Sequence, residues 1–442
     1  MTALISHRAN HLHGTISLPG DKSISHRALI LGTLALGQTR IRGLLEGADV
    51  LATAKALQQL GGQITKEDDG SWVVGGIGLS GFHEPESPLD LGNSGTGARL
   101  LMGVIAGSGI KAVFTGDSSL SARPMARVTS PLEKMGAIVS AREGTYLPLM
   151  IEGQLQPMSI TYHSPHASAQ IKSAVLLAGL TARGQTTVIE PRPSRNHTEA
   201  MLRHFGVAVE EKPTADGGME VSVFGDALLT AADVHVPADP SSAAFPAVAA
   251  LITEGSEITM TGIGTNPLRF GLFETLMEMG GDITLSNHRT EGGETVADIT
   301  VRSSRLRGID VPAERAASMI DEYPVLSVAA AFAEGKTHME GIGELRVKET
   351  DRIALMEEGL SLAGATVSSS PDSMTVVGSG KITGGITVDA CHDHRIAMSF
   401  LVLGQRSEQP ICVEGTETIA TSFPDFRELM HRIGADIRSQ DR

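Results

Sequence analysis

The chain has little cysteine and no long apolar run. Its two cysteines, Cys391 and Cys412, provide neither a disulfide framework nor the spacing of metal ligands, which is typical of a reducing compartment. No run of about 18 apolar residues occurs, so the sequence predicts no membrane-spanning helix. Residues 1–8 also lack the apolar core of a secretion signal. We therefore expect a cytoplasmic protein without a membrane anchor.

Positive charge is also in short supply, because 36 Lys and Arg residues face 51 Asp and Glu residues. The resulting net charge of −15 argues against nucleic acid or an anionic membrane surface as a partner. It does not exclude an anionic small molecule, since a cleft can concentrate the few cations that the chain has.

Glycine, in contrast, is abundant at 50 residues, and part of it follows a repeated pattern. Six apolar helices are predicted, each opened by polar residues and followed by a β-rich strand. A second, amphipathic helix in each repeat ends at a glycine, which takes a left-handed conformation without penalty. These glycines recur about every 75 residues, a period typical of internally repeated folds. They are Gly61, Gly136, Gly206, Gly280, Gly364 and Gly434.

The repeats also pair at longer range, because Leu18–Ser23 is spelled similarly to Val236–Ser241. A chain of 442 residues exceeds what one hydrophobic core usually organises. We therefore predict an α/β (α+β) protein with two similar domains of three repeats each. The predicted boundaries are 20–240 for one domain, 1–19 with 241–442 for the other, and chain crossings near 18–22 and 236–241.

The segment Gly20–Arg27 combines helix-capping residues with cations at the start of an apolar helix. Ser23 or Ser25 is predicted to cap the first turn, whose backbone N–H groups lack partners. The partial positive charge of that helix end, together with Lys22 and Arg27, predicts a phosphate site. A capped core helix with a few surface charges is the alternative interpretation.

Basic residues stand at other helix entries as well. Arg123 and Arg195 each lie just before a predicted helix, where an anion site and a solvated surface charge are both possible. Lys348 and Arg352 are one turn apart and are predicted to share a helix face. Glu349 lies three residues before Arg352, so a structural ion pair is the alternative to a chemical role for that carboxylate.

Eight motifs follow one another along nearly the whole chain: Leu18–Arg27, Leu91–Thr96, Arg123–Met125, Ser168–Gln170, Asp321–Pro324, Leu345–Arg352, Asp393–Arg395 and Ser422–Pro424. In this combination and order they resemble the 5-enolpyruvylshikimate-3-phosphate (EPSP) synthase family, also called 3-phosphoshikimate 1-carboxyvinyltransferase. The spelling around Ala169 and in Arg346–Glu349 is similar to the branch called class II.

The resemblance implies the enolpyruvyl transferase fold, in which each domain is three βαβαββ units around buried parallel helices. It implies that the N-termini of these helices face a cleft between the domains, which closes on substrate. The implied reaction moves the enolpyruvyl group of phosphoenolpyruvate to the 5-hydroxyl of shikimate 3-phosphate through a tetrahedral addition–elimination intermediate, and phosphate is released. The reaction is part of the shikimate pathway of aromatic amino-acid biosynthesis. It needs no metal or organic cofactor, and we expect a monomer.

The resemblance also implies roles for individual residues. Asp321 takes the proton of the attacking hydroxyl, and Glu349, Lys22 or both handle the proton at the methylene carbon. The residues implied to bind shikimate 3-phosphate are Lys22, Ser23, Arg27, Ser168, Ala169, Gln170, Arg195, Asp321 and Lys348. Those implied to bind phosphoenolpyruvate are Lys22, Gly95, Arg123, Gln170, Arg352 and Arg395. No metal ligand is implied.

The sequence departs from the family's other branch at two places. Ala169 stands where that branch has Ser, so one hydroxyl contact to phosphate is missing. Thr421 and Ser422 stand where it has a lysine before the Phe-Pro motif, which removes one cation from the phosphoenolpyruvate site. At a third position, Gly95 leaves full room for phosphoenolpyruvate. Because class II members that tolerate the herbicide glyphosate often have Ala there, we predict that this protein is glyphosate-sensitive.

Two other functions fit parts of the sequence. UDP-N-acetylglucosamine 1-carboxyvinyltransferase shares the fold, but it normally has a loop cysteine near the position of Arg123, and this chain has no cysteine before Cys391. The second alternative is a non-catalytic anion-binding protein. Asp321 and Glu349 argue against it, since carboxylates among bound anions weaken binding and are expected mainly as proton carriers.

Overall fold

Each polar opening identified in the sequence begins a buried helix in the computed structural model, which describes residues 3–440. Six helices, α1, α3, α6, α8, α11 and α13 in the numbering below, are buried along most of their length because they are apolar on nearly every face. Across the described residues, no helix combines the length and the apolar content needed to span a bilayer. The helices are α1 (Lys22–Leu34), α2 (Ala48–Gln59), α3 (Gly95–Ala106), α4 (Ser118–Ser121), α5 (Ala126–Lys134), α6 (Ala169–Gly179), α7 (His197–His204), α8 (Pro240–Ile252), α9 (Gly271–Glu278), α10 (Ala316–Met319), α11 (Tyr323–Phe332), α12 (Arg352–Leu362), α13 (His394–Gly404) and α14 (Phe426–Arg432).

A strand follows each buried helix, as predicted from the β-rich segments of the sequence; these six strands are β3, β7, β11, β15, β19 and β23. The strands are β1 (Ala3–His7), β2 (His13–Ser17), β3 (Leu36–Arg42), β4 (Gln63–Lys66), β5 (Trp72–Ile77), β6 (Leu89–Asp90), β7 (Lys111–Thr115), β8 (Ile138–Arg142), β9 (Tyr146–Glu152), β10 (Thr161–His163), β11 (Gln185–Glu190), β12 (Val209–Pro213), β13 (Met219–Phe224), β14 (Val234–His235), β15 (Glu257–Gly264), β16 (Asp282–Glu291), β17 (Glu294–Arg302), β18 (Asp310–Val311), β19 (Gly335–Glu340), β20 (Thr366–Ser369), β21 (Ser373–Gly378), β22 (Thr387–Asp389), β23 (Ile411–Glu414) and β24 (Asp436–Ser439). Short 3-10 helices lie at Pro267–Arg269, Ala313–Arg315, Gly343–Val347 and Thr416–Thr421.

Within the described residues, the strands form six four-stranded sheets of mixed direction. In the sheet β6-β7-β9-β8, for example, β6 and β7 run parallel, whereas β9 pairs antiparallel with both β7 and β8. In three of the sheets formed by residues 3–440, one strand comes from a distant part of the chain: β14 pairs with β3, β2 pairs with β15, and β1 lies between β23 and β24 and pairs antiparallel with both. The other sheets have the orders β14-β3-β5-β4, β10-β11-β13-β12, β16-β17-β15-β2 and β18-β19-β21-β20, and the sheet that contains β1 has the order β22-β23-β1-β24.

The chain divides into two compact units, each with its own apolar core. Unit I is Gly20–Val236 together with Glu291–Gly293, and its core is built around α1, α3 and α6. Unit II consists of the residues up to Pro19, Pro237–Thr290 and the chain from Glu294 onward, and its core is built around α8, α11 and α13. The long segment of unit I ends at Val236, whereas the boundary predicted from the sequence is residue 240.

The glycines at the repeat ends explain why the period is visible in the sequence. All six have positive φ, from +86° at Gly206 to +106° at Gly61. A side chain rarely adopts this backbone conformation, so glycine is favoured wherever the second helix of a repeat turns into the next strand. The predicted helix stops are confirmed.

Candidate functional site

The N-terminal turns of α1, α3 and α6 meet at one end of unit I. Gln170, in the first turn of α6, donates a hydrogen bond to Thr96 Oγ1 in the first turn of α3 at 3.0 Å. Arg27, in the second turn of α1, donates to Ser173 Oγ of α6 at 2.8 Å. The three buried helices therefore begin at the same end of the unit, where their partial positive charges add and favour an anion.

The N-cap of α1 differs from the prediction. Asp21 Oδ1 accepts a hydrogen bond from the backbone N–H of Ile24 at 2.9 Å, so Asp21 is the cap rather than Ser23 or Ser25. Both serines already lie inside the helix, where they cannot take the N-cap position. The buried Ser25 hydroxyl instead accepts a hydrogen bond from the Leu45 N–H at 3.0 Å.

Both cations of α1 have polar partners in unit I. Lys22 Nζ lies 3.1 Å from Asp49 Oδ2, and the Lys22 side chain is 18 % exposed. Arg27 is only 4 % exposed, and it donates from Nε to Thr198 Oγ1 at 2.7 Å and from Nη1 to the Ser23 carbonyl at 2.9 Å. The alternative of solvated surface charges therefore does not hold for Arg27, whereas Lys22 presents an ammonium that solvent and ligands can reach.

Arg123 lies beside the start of α3. Its Nη2 donates to Asn93 Oδ1, and the residue is 7 % exposed, so Arg123 is not a solvated surface charge. A Cβ added at Gly95 would lie 3.0 Å from Arg123 Nη1. Glycine at this position therefore lets the guanidinium group approach the helix start closely.

Arg99 belongs to the same cluster, although the sequence analysis did not single it out. Its Nη1 donates to Gln170 Oε1 at 2.6 Å and would lie 3.2 Å from a Cβ at Gly95. Arg99 is the one charged side chain of α3, whose other residues are apolar or small. A lone cation in the first turns of an apolar helix was the signal that could have identified it.

The other predicted ligands of unit I lie at the starts of α6 and α7. Ser168 is the N-cap residue of α6, but its side chain makes no capping hydrogen bond. Ser168, Ala169 and Gln170 are half-buried, as is Arg195 in the segment before α7. Direct contacts thus connect Gln170 to Arg99, and Ser23 to Arg27.

The starts of α8, α11 and α13 meet in the same way in unit II. Glu322, the N-cap residue of α11, accepts a hydrogen bond from Ser241 Oγ of α8. Arg395, in the first turn of α13, donates from Nη1 to the Asp321 carbonyl at 3.0 Å and lies 3.5 Å from Glu322 Oε1. Unit II therefore has its own set of helix N-termini gathered at one end.

Two cations flank the carboxylate of Asp321. Its Oδ1 lies 3.4 Å from Lys348 Nζ and 3.3 Å from Arg352 Nη1, and the Asp321 side chain is 16 % exposed. Lys348 follows the 3-10 helix Gly343–Val347, whereas α12 begins only at Arg352. The prediction that the two cations share a helix face is therefore wrong, but the turn between the two helical segments still brings both to one oxygen.

Arg352 is 1 % exposed and contacts three carboxylates. Its Nε lies 2.7 Å from Asp393 Oδ2, and its terminal nitrogens contact Glu349 and Asp321. Burial opposes the positive charge, but Asp393, Glu349 and Asp321 outweigh it and raise the pKa of the guanidinium above its ordinary value. The ion pair between Glu349 and Arg352 that the spacing indicated is present.

Glu322 and Arg269 complete the cluster and were given no role by the sequence analysis. Arg269 Nη1 lies 3.6 Å from Glu322 Oε1, and Arg269 Nη2 lies 3.0 Å from Asp239 Oδ1. All three side chains are nearly inaccessible to solvent. Because Glu322 also contacts Arg395, these buried charges fix the guanidinium of Arg395 at the start of α13.

The backbone that leads into α13 is strained. Cys391 and His392 have φ of 49° and 64°, in the left-handed region that side chains rarely adopt. Each such residue costs about 1 kcal/mol or more. The next residue, Asp393, caps α13 through a hydrogen bond from the Arg395 N–H at 2.9 Å and also holds Arg352. The two strained residues thus directly precede the carboxylate that caps α13 and holds Arg352.

Comparisons with known proteins agree with one another. The family model described as EPSP synthase (3-phosphoshikimate 1-carboxyvinyltransferase) matches residues 7–430. Proteins named 3-phosphoshikimate 1-carboxyvinyltransferase from Parvibaculum lavamentivorans and Paramagnetospirillum magneticum are 58 % and 56 % identical to this chain over 435 residues. The alignments cover 98 % of this chain in both cases, and 96 % and 98 % of those proteins.

Solved structures lead to the same family. The structure of EPSP synthase from Acinetobacter baumannii is similar to this chain with a TM-score of 0.88 at 43 % identity, and the match covers 100 % of both chains. The predicted fold class is confirmed by this similarity. The family match also favours EPSP synthase over the UDP-N-acetylglucosamine 1-carboxyvinyltransferase alternative.

Proposed function

The chain belongs to the EPSP synthase family, and on that premise we propose that it transfers the enolpyruvyl group of phosphoenolpyruvate to the 5-hydroxyl of shikimate 3-phosphate and releases phosphate. The observation that carries the proposal is the Asp321 carboxylate between Lys348 and Arg352, at 3.4 and 3.3 Å. A carboxylate repels bound anions, so its presence in a cluster of cations favours catalysis over anion binding alone.

We assign the two anionic substrates to the cationic helix starts. Arginine suits phosphate and carboxylate because its planar fork binds two oxygens at once. The cluster around Gln170, with Arg99 and Arg123 beside Gly95, supports a site for the smaller substrate. The proposed ligands of phosphoenolpyruvate are Lys22, Gly95, Arg123, Gln170, Arg352 and Arg395. Those of shikimate 3-phosphate are Lys22, Ser23, Arg27, Ser168, Ala169, Gln170, Arg195, Asp321 and Lys348.

The proposed chemistry needs one base and one acid. In the addition step, Asp321 accepts the proton of the 5-hydroxyl of shikimate 3-phosphate, and the oxygen of that hydroxyl bonds to C2 of phosphoenolpyruvate. Glu349 or Lys22 delivers a proton to the methylene carbon C3. In the elimination step, C3 gives up a proton, the double bond returns and phosphate leaves. Each positioned acid or base contributes about 10²–10⁴-fold to the rate.

The variant Asp321→Asn tests this assignment because it keeps the shape of the side chain and removes the base. We expect phosphate release from the two substrates to fall by about 10²–10⁴-fold. The Kd of shikimate 3-phosphate, measured by calorimetry, should stay within about fivefold, since the amide still accepts a hydrogen bond.

Asp282→Asn is the matched control, because Asp282 is an exposed carboxylate of unit II that pairs with Arg302 at 3.6 Å. It should turn over at the wild-type rate. Full activity of Asp321→Asn would remove Asp321 as the base. Phosphate release with UDP-N-acetylglucosamine but not with shikimate 3-phosphate as the acceptor would contradict the proposed function itself.

A further inference from the structure

Unit I contains a buried triad of charges that the chemistry above does not use. Lys172 Nζ lies 2.9 Å from Glu190 Oε2 and 2.7 Å from Glu199 Oε1. All three side chains are at most 2 % exposed, and the formal charge of the triad is −1. Burial lowers the pKa of Lys172, but Glu199 and Glu190 outweigh it and raise that pKa above its ordinary value. Lys172 therefore carries its positive charge at neutral pH.

Stability alone does not explain such a triad. Taking charges out of water is costly, and well-packed apolar side chains of similar volume often stabilise a protein as much or more. Glu199 Oε2 is buried and has no hydrogen-bond partner within residues 3–440, which adds to the cost. A specific structural purpose is therefore expected of these residues.

The triad holds one residue of the segment between β11 and α7 by all of its polar groups. Ser194 Oγ donates to Glu190 Oε1 at 2.6 Å, and the Ser194 N–H donates to Glu190 Oε2 at 3.3 Å. The Ser194 carbonyl accepts from Lys172 Nζ at 3.3 Å. Hydroxyl, amide and carbonyl of Ser194 are thus fixed by two members of the triad, and the third, Glu199, lies in the first turn of α7.

Arg195, a proposed ligand of shikimate 3-phosphate, is the next residue in the chain. The segment is stiff on its other side too, because Pro191 and Pro193 restrict their own φ angles. Beyond it, Thr198 Oγ1 accepts from Arg27 Nε at 2.7 Å and contacts Ser173 Oγ at 2.6 Å. A ligand-binding arginine on a fixed backbone loses less conformational freedom when it binds.

We infer that Lys172, Glu190 and Glu199 are positioning residues that fix the backbone of residues 191–198 through Ser194, so that Arg195 is aligned in advance for the phosphate group of shikimate 3-phosphate. The inference rests on the proposed function. It assigns to this triad an effect on the affinity for shikimate 3-phosphate, and not on the affinity for phosphoenolpyruvate or on the chemical step.

Ser194→Ala tests the inference with a small change at the junction. It removes one hydrogen bond to a buried charged group and leaves the triad in place. We expect the Kd of shikimate 3-phosphate, measured by calorimetry, to rise about 10-fold. The KM of phosphoenolpyruvate and kcat should stay within about twofold, because neither depends on Arg195. Glu190→Gln removes the charge that holds Ser194, and it should also raise the Kd of shikimate 3-phosphate.

A double-mutant cycle shows whether Ser194 acts through Arg195. In an Arg195→Ala background, adding Ser194→Ala should change the Kd by less than about twofold, since the residue to be aligned is already gone. Ser222→Ala is the matched control, because the Ser222 hydroxyl is also buried in unit I and bonds across a sheet, to Thr187 Oγ1 at 2.8 Å. It should bind shikimate 3-phosphate like the wild type.

Several results would overturn the inference. One is a Kd within twofold of wild type for Ser194→Ala or for Glu190→Gln. Others are normal binding by Arg195→Ala, full additivity in the cycle, or an equal loss in Ser222→Ala. Phosphate release by the wild-type protein from shikimate 3-phosphate and phosphoenolpyruvate is measured first. Its absence counts against the proposed function, whereas unchanged variants of an active protein count against the triad alone.

Discussion

Gly95 shows how one missing methyl group shapes the anion-binding end of unit I. A Cβ there would lie 3.0 Å from Arg123 Nη1 and 3.2 Å from Arg99 Nη1, which is closer than ordinary contact. Both atoms are the ends of flexible side chains, so an alanine is accommodated by moving the guanidinium groups. The space in front of the helix start then shrinks, and the longer of two competing ligands loses more than the shorter.

We therefore expect Gly95→Ala to weaken the binding of glyphosate more than the binding of phosphoenolpyruvate, since glyphosate is the longer molecule. Overpacking of this size costs about 1–3 kcal/mol, so the inhibition constant of glyphosate should rise about 5- to 150-fold more than the KM of phosphoenolpyruvate. Steady-state kinetics with both ligands measure the ratio.

A matched glycine provides the control for Gly95→Ala. At Gly264 an added Cβ meets only ordinary contacts at 3.7–3.8 Å, so Gly264→Ala should leave both constants unchanged. If Gly95→Ala has the same ratio of glyphosate inhibition constant to phosphoenolpyruvate KM as the wild type, the methyl group does not discriminate between the two ligands.

His26 predicts a dependence of stability on pH. It is buried in α1, its Nδ1 pairs with Thr53 Oγ1 at 2.9 Å, and its Nε2 has no hydrogen-bond partner in the part of the chain that the structure describes. Burial, and then the charges of Lys22 and Arg27, lower its pKa from 6.5 to about 3. Between pH 6.5 and about pH 3, His26 binds a proton in the unfolded chain but not in the folded one. The free energy of unfolding therefore falls as the pH is lowered through this range.

Replacing His26 removes that contribution. From pH 7.5 to pH 5 the wild type should lose about 2 kcal/mol more of its free energy of unfolding than His26→Asn, which cannot take up the proton. Denaturant unfolding at the two pH values measures the difference, and the exposed His83→Asn is the control. Equal losses in wild type and His26→Asn would mean that His26 is protonated in the folded protein.

At the scale of single elements, the start of α1 depends on a side chain outside the helix. Asp21 caps it through the Ile24 N–H, so Asp21→Ala should lower the free energy of unfolding by about 1 kcal/mol or more. Asp21→Asn should keep most of this stability because an amide oxygen also caps. Thermal and denaturant unfolding of the two variants measure the effect.

Ser23, one of the two serines predicted as a cap from the sequence, serves as the control. Ser23→Ala should unfold like the wild type, because Ser23 lies inside α1 and its carbonyl, which accepts from Arg27, is unchanged. A larger loss of stability in Ser23→Ala than in Asp21→Ala would return the capping role to Ser23.

Element boundaries were the part of the site that the sequence described least well. Gly20–Arg27 offers several residues that can cap a helix, and the choice depends on where the helix starts, which no single residue type decides. The run Lys348–Arg352 has helical spacing, but the chain there leaves one helical segment and enters another. Both cations therefore contact Asp321 because of the turn between the two helical segments, which the residue spacing did not indicate.

At the scale of the whole molecule, repetition made most of the fold predictable. The six glycines that end the second helix of each repeat, and the strands after the buried helices, follow from local rules of backbone conformation and apolar patterning. Long-range facts did not follow from these rules. They include the insertion of β1 between two late strands, and the pairing of Arg99 with Gln170 and of Glu322 with Arg395, which depend on how separate helices pack.

The place of β1 has a consequence for synthesis of the chain. Ala3–His7 leaves the ribosome long before its neighbours in the sheet, Ile411–Glu414 and Asp436–Ser439, are made. Residues 20–236 are complete long before those partners exist. During translation β1 therefore lacks its native strand partners for a long time, and the sheet β22-β23-β1-β24 forms only after Asp436–Ser439 has been made.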